Sequence, residues 1–247
     1  MHPVSRKLSN FIELSREEAS ALELAFANTF RVSAGQAIVR EAEQARSIVF
    51  VLDGLALRSK RLPEGERQVV AFLLPGDHCD IGGTILGMSD TTIEAQTECV
   101  VGRASSDALD HLCAQYDRIA AGLRWATLVE EAISREWIVN VGRRPAVKRV
   151  AHLFCETYYR ACAIGRENGT GCDLPLSQAD LGDATGMSVV HVNRCLQQLR
   201  RDRLVAFGDK RLTILDLPGI EDFCGFDATY LHLDAHYEPG GASAREA

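Results

Sequence analysis

The sequence contains no apolar segment that approaches the roughly 20 residues a membrane-spanning helix needs. Its N-terminal stretch, residues 1–10, also lacks the apolar core and the small-residue cleavage site of a secretory signal. We therefore expect a cytoplasmic protein that has no contact with a membrane.

Closely spaced cysteines are missing as well. The 8 cysteines are scattered along the chain and none forms a CxxC pair. This spacing excludes a zinc knuckle and a dense disulfide framework. It favours reduced and mostly buried thiols, with a redox role for Cys79 or another cysteine as the alternative.

Familiar catalytic motifs are also absent. The sequence has no Gly-rich phosphate loop, no nucleophile elbow and no HExxH motif. Scattered His and Cys residues could in principle form a nucleophilic site, but nothing in their spacing indicates one. We predict no catalytic residue, no bound metal and no resident cofactor, and leave open an effector of unknown identity.

Charge is unevenly distributed along a chain whose net charge is −7. Residues 1–141 carry −6, residues 142–215 carry +5 and residues 216–247 carry −6. A basic segment between acidic flanks suggests one face for an anionic partner, although solvated surface would give the same balance.

The first half of the chain is predicted to be a β domain that follows a short helix capped by Ser15. From Arg31 to about Arg103, apolar runs of strand length alternate with glycine-rich turns. Strands this short are typical of an antiparallel barrel or jelly roll, and residues 63–65 resemble a hairpin tip. The apolar runs lie at 37–39, 48–52, 55–58, 69–74 and 100–101.

Residues 107–141 lack proline and predict one long helix with two apolar stripes. A helix that packs on a single core needs only one apolar stripe. The presence of two stripes therefore suggests that one side of the helix meets the same helix of a second subunit in a coiled pair. Burial of both stripes within one subunit is the alternative. We assign dimerisation to the first stripe, Ile119, Leu123, Ala126, Ile133 and Trp137; the second is Ala121, Trp125, Leu128, Ala132 and Val139.

A second domain is predicted after the break at residues 142–145. An amphipathic helix over 146–164 is followed by a polar loop over 165–171. Ser177 with Asp180 three residues later is close to a capping box for a compact helix.

The next segment predicts a sharp turn and a longer helix. Gly186 permits positive φ, and Ser188 can cap a helix from Val189 to about Asp202. A short helix, a tight glycine turn and a longer helix form a helix-turn-helix, whose second helix presents its N-terminal residues to the major groove.

Side-chain chemistry suggests what that second helix could read. Arg194 can bond guanine, and Asn193 can bond adenine or a phosphate. His191 can donate to a base or a phosphate, and Val189 or Val190 can meet a thymine methyl. Each could instead be solvated surface or part of a salt bridge.

Basic residues continue into a predicted hairpin that joins 204–207 to 211–215. Such a wing tracks the phosphate backbone and positions a protein without reading sequence. The full predicted DNA-contact set is Ser188, Val189, Val190, His191, Asn193, Arg194, Gln197, Arg200, Arg201, Lys210 and Arg211.

This order of elements resembles the Crp/Fnr family of bacterial transcription regulators over about residues 10–235. The matching stretches are VFVLDGLALRSKRLPEGERQVVAFLLPGDHCDIGG, VGRRPAVKRVAHLF and LPLSQADLGDATGMSVVHVNRCLQQLRRDRLV. The resemblance implies a cyclic-nucleotide-binding-like barrel, a long dimerisation helix, a winged helix-turn-helix and RNA polymerase as a partner. Ser188 and Arg194 match a helix-capping Ser and a base- or backbone-contacting Arg of the family.

Departures from the family pattern bear on the signal. The region that holds the cyclic phosphate in cyclic-AMP receptors here reads GDHCDIGGTILGMSDTTIEAQT and has no Arg. No cysteine precedes Cys79, unlike the iron–sulfur sensors of the family. A haem-binding relative uses Cys and His after this same Gly-Asp, so His78 and Cys79 are kept as candidate redox or ligand residues. Val190 stands where a Glu often reads cytosine, so a different operator is expected.

We therefore predict an α+β protein with an antiparallel jelly-roll domain at 10–106, a dimerisation helix at 107–141, a winged helix-turn-helix at 142–217 and an extension at 218–247. The last ten residues are expected to be disordered. The predicted function is binding of double-stranded DNA in the nucleoid, at an inverted-repeat operator, by a homodimer that responds to neither cyclic AMP nor an iron–sulfur cluster. The alternative is a sensory ligand- or redox-binding module with weak DNA affinity.

Overall fold

The computed structural model describes residues 1–45, 47–79 and 85–233. Helices α1 (Pro3–Leu8) and α2 (Arg16–Ala25) precede the first strand. Helix α2 begins with a complete capping box between Ser15 and Glu18, which confirms the predicted cap. Helix α1 was not predicted, and it buries Val4 and Leu8.

The β domain consists, in the described residues, of seven antiparallel strands in two sheets, which confirms the predicted jelly roll. The sheets have the orders β1-β7-β3 and β2-β6-β4-β5. The β4–β5 hairpin pairs Arg61 with Arg67 around the predicted tip. The strands are β1 (Thr29–Val32), β2 (Ala37–Val39), β3 (Ser47–Asp53), β4 (Ala56–Arg61), β5 (Arg67–Leu73), β6 (Thr92–Ala95) and β7 (Cys99–Ser105).

Strand β3 lies between two cores. Ile48 and Phe50 pack against the N-terminal helices, whereas Val49 and Val51 pack between the two sheets. Side chains of a strand alternate between its faces, so a strand that is buried on both faces has a continuous apolar run. Burial of β3 on both faces therefore explains the apolar run at 48–52.

The predicted helix over 107–141 is two helices rather than one. Helix α3 (Ser106–Gln115) ends at Tyr116, and α4 (Asp117–Arg143) starts immediately after it. Tyr116 is in an extended conformation, with φ −129° and ψ 95°, and its hydroxyl donates to Glu17 of α2 at 2.9 Å. This contact is distant in sequence, and neither proline nor glycine marks the break.

The stripe assigned to dimerisation is buried inside the single chain. Its five side chains, Ile119, Leu123, Ala126, Ile133 and Trp137, are each no more than 7% exposed. The large apolar side chains that α4 leaves exposed are Leu128 at 58%, Ile138 at 72% and Val139 at 46%. The assignment of the first stripe to a partner is therefore wrong, because those side chains already pack against their own chain.

Helix α4 ends at Arg143 and Arg144 is extended, so the helix is broken within the segment 142–145. The segment expected to be a polar loop instead contains two short strands, β8 (Glu167–Asn168) and β9 (Gly171–Asp173). They extend the wing into a four-stranded sheet of order β10-β11-β9-β8. The other elements are α5 (Ala146–Ala163), α6 (Gln178–Thr185), α7 (Val189–Arg201), β10 (Val205–Gly208), β11 (Arg211–Ile214) and α8 (Leu217–Cys224).

The extension after the wing folds back over the molecule. Helix α8 packs on α5, and a 3₁₀ turn (Ala228–Leu231) buries Leu231. The His232 ring meets the Trp125 ring of α4 edge-on, with centroids 5.7 Å apart. The end predicted to be disordered, 238–247, lies outside the described residues. Among the described residues, no helix is long and apolar enough to cross a bilayer.

Candidate nucleic-acid interface

Helix α6 starts where its capping residues predict. The Ser177 hydroxyl accepts from the Asp180 N–H at 3.1 Å, and the Asp180 carboxylate accepts from the Ser177 N–H at 2.9 Å. These two bonds satisfy backbone donors that the first turn of a helix leaves without partners. The box fixes the start of the helix-turn-helix.

The turn between α6 and α7 depends on glycine. Gly186 ends α6 in the left-handed region, with φ +66° and ψ 39°. A Cβ at Gly182 would lie 2.6 Å from the carbonyl oxygen of Met187, so the two segments approach more closely than a side chain allows. Ser188 then caps α7 by accepting from the His191 N–H at 3.3 Å.

Helix α7 has one buried face and one exposed face. Val192, Cys195, Leu196 and Leu199 are buried, which agrees with the inward residues predicted from periodicity. The opposite face is open to solvent. Its exposed residues are Val189, Val190, His191, Arg194, Gln197, Arg200 and Arg201.

Asn193 differs from its neighbours on α7 because it is half-buried and already hydrogen-bonded. Its amide nitrogen donates to the Gln178 side-chain oxygen of α6 at 3.2 Å, and its oxygen accepts from Gln197 at 2.9 Å. Asn193 therefore ties the two helices together, and it would have to exchange both bonds to read a base.

The wing turns at Asp209 and Lys210, which both have positive φ. The guanidinium of Arg200 donates to the Phe207 carbonyl at 3.2 Å, and that of Arg211 donates to the Asn168 carbonyl at 2.5 Å. These bonds hold two predicted phosphate contacts against the wing sheet, while Lys210 stays exposed at its tip.

Helix α6 also contacts the β domain of the same chain, through three residues that we call the rim clamp: Arg67, Asp180 and Asp183. Arg67 of β5 donates to Asp180 at 2.6 Å and to Asp183 at 2.7 Å. Burial acts to raise the pKa of Asp180, but its bonds from Ser177 and Arg67 hold that pKa below its usual value.

A second, buried junction joins α5 to the β domain. It consists of four residues that we call the buried charge chain: Lys7, Asp77, Arg160 and Glu156. Arg160 donates to Asp77 at 2.8 Å and contacts Glu156 at 3.3 Å, and Lys7 pairs with Asp77. Glu156 also accepts from the Trp137 indole at 3.0 Å and from the Tyr230 hydroxyl at 2.9 Å. The buried charge chain thereby connects the barrel, α4, α5 and the C-terminal extension.

Neither junction is predicted by the sequence. Each joins residues that are far apart in the chain, such as Arg67 and Asp183 or Asp77 and Arg160. The capping role of Asp180 was predicted from local spacing, but nothing local marks it as a partner of a strand in another domain.

The two candidate ligand residues have different surroundings: Cys79 packs in the core between the two sheets, whereas His78 faces α4. Cys79 is fully buried, and His78 is 7% exposed with its Nε2 2.9 Å from a Glu130 carboxylate oxygen. Burial, followed by the charges of Arg58 and Lys7, lowers the pKa of His78 to about 3. The imidazole is therefore neutral at physiological pH. No set of three or more His, Cys, Asp and Glu residues is grouped like metal ligands in the part of the chain that the structure describes.

These features define a protein in which a long helix joins a β sandwich to a winged helix-turn-helix. Residues 148–223 match the Crp-like helix-turn-helix domain, and residues 29–116 match the cyclic nucleotide-binding domain. The chain belongs to the Crp/Fnr family of transcription regulators.

Individual relatives agree with this family. The transcriptional activator protein FnrL of Cereibacter sphaeroides is 26% identical over 204 residues, which are 81% of each chain. The nitrogen fixation regulation protein FixK of Bradyrhizobium diazoefficiens is 26% identical and covers 76% of this chain and 78% of its own. The solved structure of FixK2 from Bradyrhizobium japonicum shares the fold, with a TM-score of 0.71 at 24% identity, covering 79% of this chain and 96% of that one.

Proposed function

We propose that this regulator binds an inverted-repeat operator as a homodimer, with Arg194 as its main base-reading residue. The observation that carries the proposal is the open outer face of α7. Within the described residues, Arg194 is exposed and has neither an ion pair nor a hydrogen bond. A guanidinium in that state can form bidentate bonds to guanine without first breaking bonds inside the protein.

The dimer contact is proposed to use the exposed side of α4. Leu128, Ile138 and Val139 lie on the side of the helix that the chain itself leaves uncovered. Large exposed apolar side chains on a long helix favour pairing with the same helix of a second subunit. Two recognition helices related by a twofold axis would then meet half-sites about 10 base pairs apart.

The signal is proposed to be something other than a cyclic nucleotide or an iron–sulfur cluster. The segment after His78 supplies no arginine for a cyclic phosphate, and a buried neutral histidine is a poor substitute for a cation. Contact with RNA polymerase and a cytoplasmic location in the nucleoid remain predictions that rest on the family.

The rival function is a sensory module with little DNA affinity, which the apolar pair Val189 and Val190 favours. These residues are 49% and 62% exposed at the start of α7, where polar base readers would be expected. A thymine methyl is the natural partner for either side chain if the module does bind DNA.

Selection of bound sequences from random double-stranded DNA by the full-length protein distinguishes the two functions. We expect an inverted repeat to be enriched, and Arg194→Ala to weaken binding to that repeat at least about fivefold, because a bidentate base contact contributes about 1–3 kcal/mol. Arg31→Ala, which removes an exposed arginine of the β domain, is the control and should bind like the wild type. Unchanged affinity in Arg194→Ala would reject this reading helix, and no enrichment would favour the sensory module.

A further inference from the structure

We propose that Arg67 of the β domain is a positioning residue for DNA binding, which clamps α6 to the barrel and so sets the orientation in which α7 reaches DNA. The inference rests on the proposed function, because orientation has meaning only for a helix that reads DNA. It assigns a DNA-binding task to a residue that lies far from the recognition helix in the sequence.

The rim clamp is a specific and partly buried contact. The Nε of Arg67 donates to Asp183, and its terminal nitrogen donates to Asp180. The side chains of Arg67, Asp180 and Asp183 are only 18%, 10% and 34% exposed. One planar guanidinium that bonds two carboxylates of one helix fixes both the position and the rotation of that helix.

Two amides reinforce the contact from the same domain. Gln96 donates to Asp180 at 3.1 Å and to the Pro175 carbonyl at 3.2 Å. Gln68, next to Arg67, approaches the Ala184 carbonyl at 3.5 Å. Helix α6 is therefore held near its start and near its end by side chains of the β domain.

The two domains are joined by a break between two helices rather than by one continuous helix. Helix α4 ends at Arg143, Arg144 is extended and Pro145 caps α5. Where the helix is broken, the relative orientation of the domains depends on side-chain contacts. The buried charge chain holds α5 against the barrel, and the rim clamp fixes α6 beside it.

The clamped orientation leaves the reading face free. With Arg67 in contact with α6, the outer residues of α7 remain exposed. The first helix of a helix-turn-helix crosses the DNA backbone, where two unpaired carboxylates would repel phosphates. Arg67 offsets part of the negative charge of Asp180 and Asp183 while it holds the helix, so the clamped state is the one that favours DNA binding.

The proposal also suggests how the β domain could act on DNA binding. Arg67 lies on β5, whose hairpin partner β4 carries Arg58. Arg58 pairs with Glu130 of α4 and donates to the His78 and Cys79 carbonyls at 3.3 Å and 3.1 Å. A structural change around His78 and Cys79 would therefore act through Arg58 on the β4–β5 hairpin, which carries Arg67.

Charge reversal on both sides of the clamp tests the proposal. We would measure affinity for the selected operator with the full-length wild type, Arg67→Glu, Asp183→Arg and the double variant. Asp183 is chosen because Asp180 is needed for the capping box. If the clamp positions the helix, each single variant should bind at least fivefold more weakly, and the double variant should bind more tightly than either.

Asp183→Arg separates positioning from simple charge effects. If net charge alone mattered, this variant would gain affinity for a polyanion and the double variant would bind more weakly than it. That pattern, or wild-type affinity in Arg67→Glu, would overturn the proposal. Arg31→Glu is the matched control, since it makes the same charge change at an exposed arginine that pairs with Glu98 within the β domain.

Two further measurements keep the result interpretable. Thermal unfolding and light scattering on each variant check that fold and oligomeric state are unchanged, and Arg67→Gln replaces any variant that fails to fold. If the wild type binds no DNA, the proposed function fails. If the wild type binds and Arg194→Ala does not, but the clamp variants bind like the wild type, only the role of Arg67 fails.

Discussion

The two junctions between the β domain and the DNA-binding domain differ in burial. In the buried charge chain, Arg160 and Asp77 are 10% and 7% exposed and Glu156 is 1% exposed. In the rim clamp, Asp183 is 34% exposed, Arg67 is 18% exposed and Asp180 is 10% exposed. Both place an arginine between two carboxylates, and the rim clamp differs in that its Asp183 end is open to solvent.

Burial decides what each junction contributes. Removing one member of a buried ion pair leaves a charge that water cannot reach, which costs about 3–5 kcal/mol. A pair that water reaches contributes at most about 1 kcal/mol, because solvent screens the attraction and replaces the lost partner. The buried charge chain is therefore expected to maintain the fold, whereas the rim clamp can be broken and remade without unfolding the protein.

The largest expected effect comes from Arg160→Met, which removes the central cation and keeps a side chain of similar length. Asp77 and Glu156 would each lose a bond to the guanidinium, as would the Phe72 carbonyl at 2.8 Å. We expect the free energy of unfolding, measured in urea, to fall by about 3–5 kcal/mol.

Arg166→Met supplies the matched control for this substitution. Arg166 and Asp53 form a pair at 2.6 Å with side chains 51% and 58% exposed, so loss of that pair should change the free energy of unfolding by less than about 1 kcal/mol. Equal losses in the two variants would show that burial does not distinguish these arginines.

A smaller effect is expected for Glu156→Gln, and it should depend on pH. Burial raises the pKa of Glu156 above its ordinary value of 4.5, and the bonds from Arg160, Trp137 and Tyr230 offset only part of this effect. The folded state therefore holds the proton more tightly than the unfolded chain does. Its contribution to the free energy of unfolding is full below pH 4.5 and is lost as the pH rises through the folded-state pKa.

Unfolding in urea at a series of pH values checks this expectation. Glutamine does not titrate, so the free energy of unfolding of Glu156→Gln relative to wild type should increase as the pH rises from about 4.5 toward neutrality. The remaining groups titrate in both proteins and cancel in the difference. A difference that stays constant or decreases over that range would contradict a raised pKa at Glu156.

Local patterns predicted the helix-turn-helix in detail. Ser177, Gly186 and Ser188 each act on backbone groups a few residues away, so their roles follow from spacing alone. The inward face of α7 likewise follows from helical periodicity. Frequent turns and the family resemblance predicted an antiparallel barrel or jelly roll, but not the order of its strands.

The structural features that the sequence did not predict depend on contacts between residues that are far apart along the chain. The first apolar stripe of α4 was given to a second subunit because periodicity shows that a face is buried but not what buries it. Trp137 instead meets Phe72 of β5 edge-on at 5.3 Å. The break at Tyr116 and the rim clamp have the same explanation, because each depends on a partner that is far away along the chain.

The smallest expected effect on stability is that of Arg67→Gln, which removes the charge of the rim clamp and keeps a hydrogen-bonding side chain. Its free energy of unfolding in urea should lie within about 1 kcal/mol of the wild type, because water reaches the Asp183 end of the contact and a glutamine amide can still donate to Asp180. The same variant should bind the operator more weakly, since α6 loses its fixed orientation. Arg160→Met is expected to behave in the opposite way, with a large loss of stability in urea. If Arg67→Gln instead cost several kcal/mol of stability, the rim clamp would support the fold as the buried charge chain does, and the two junctions would not have separate roles.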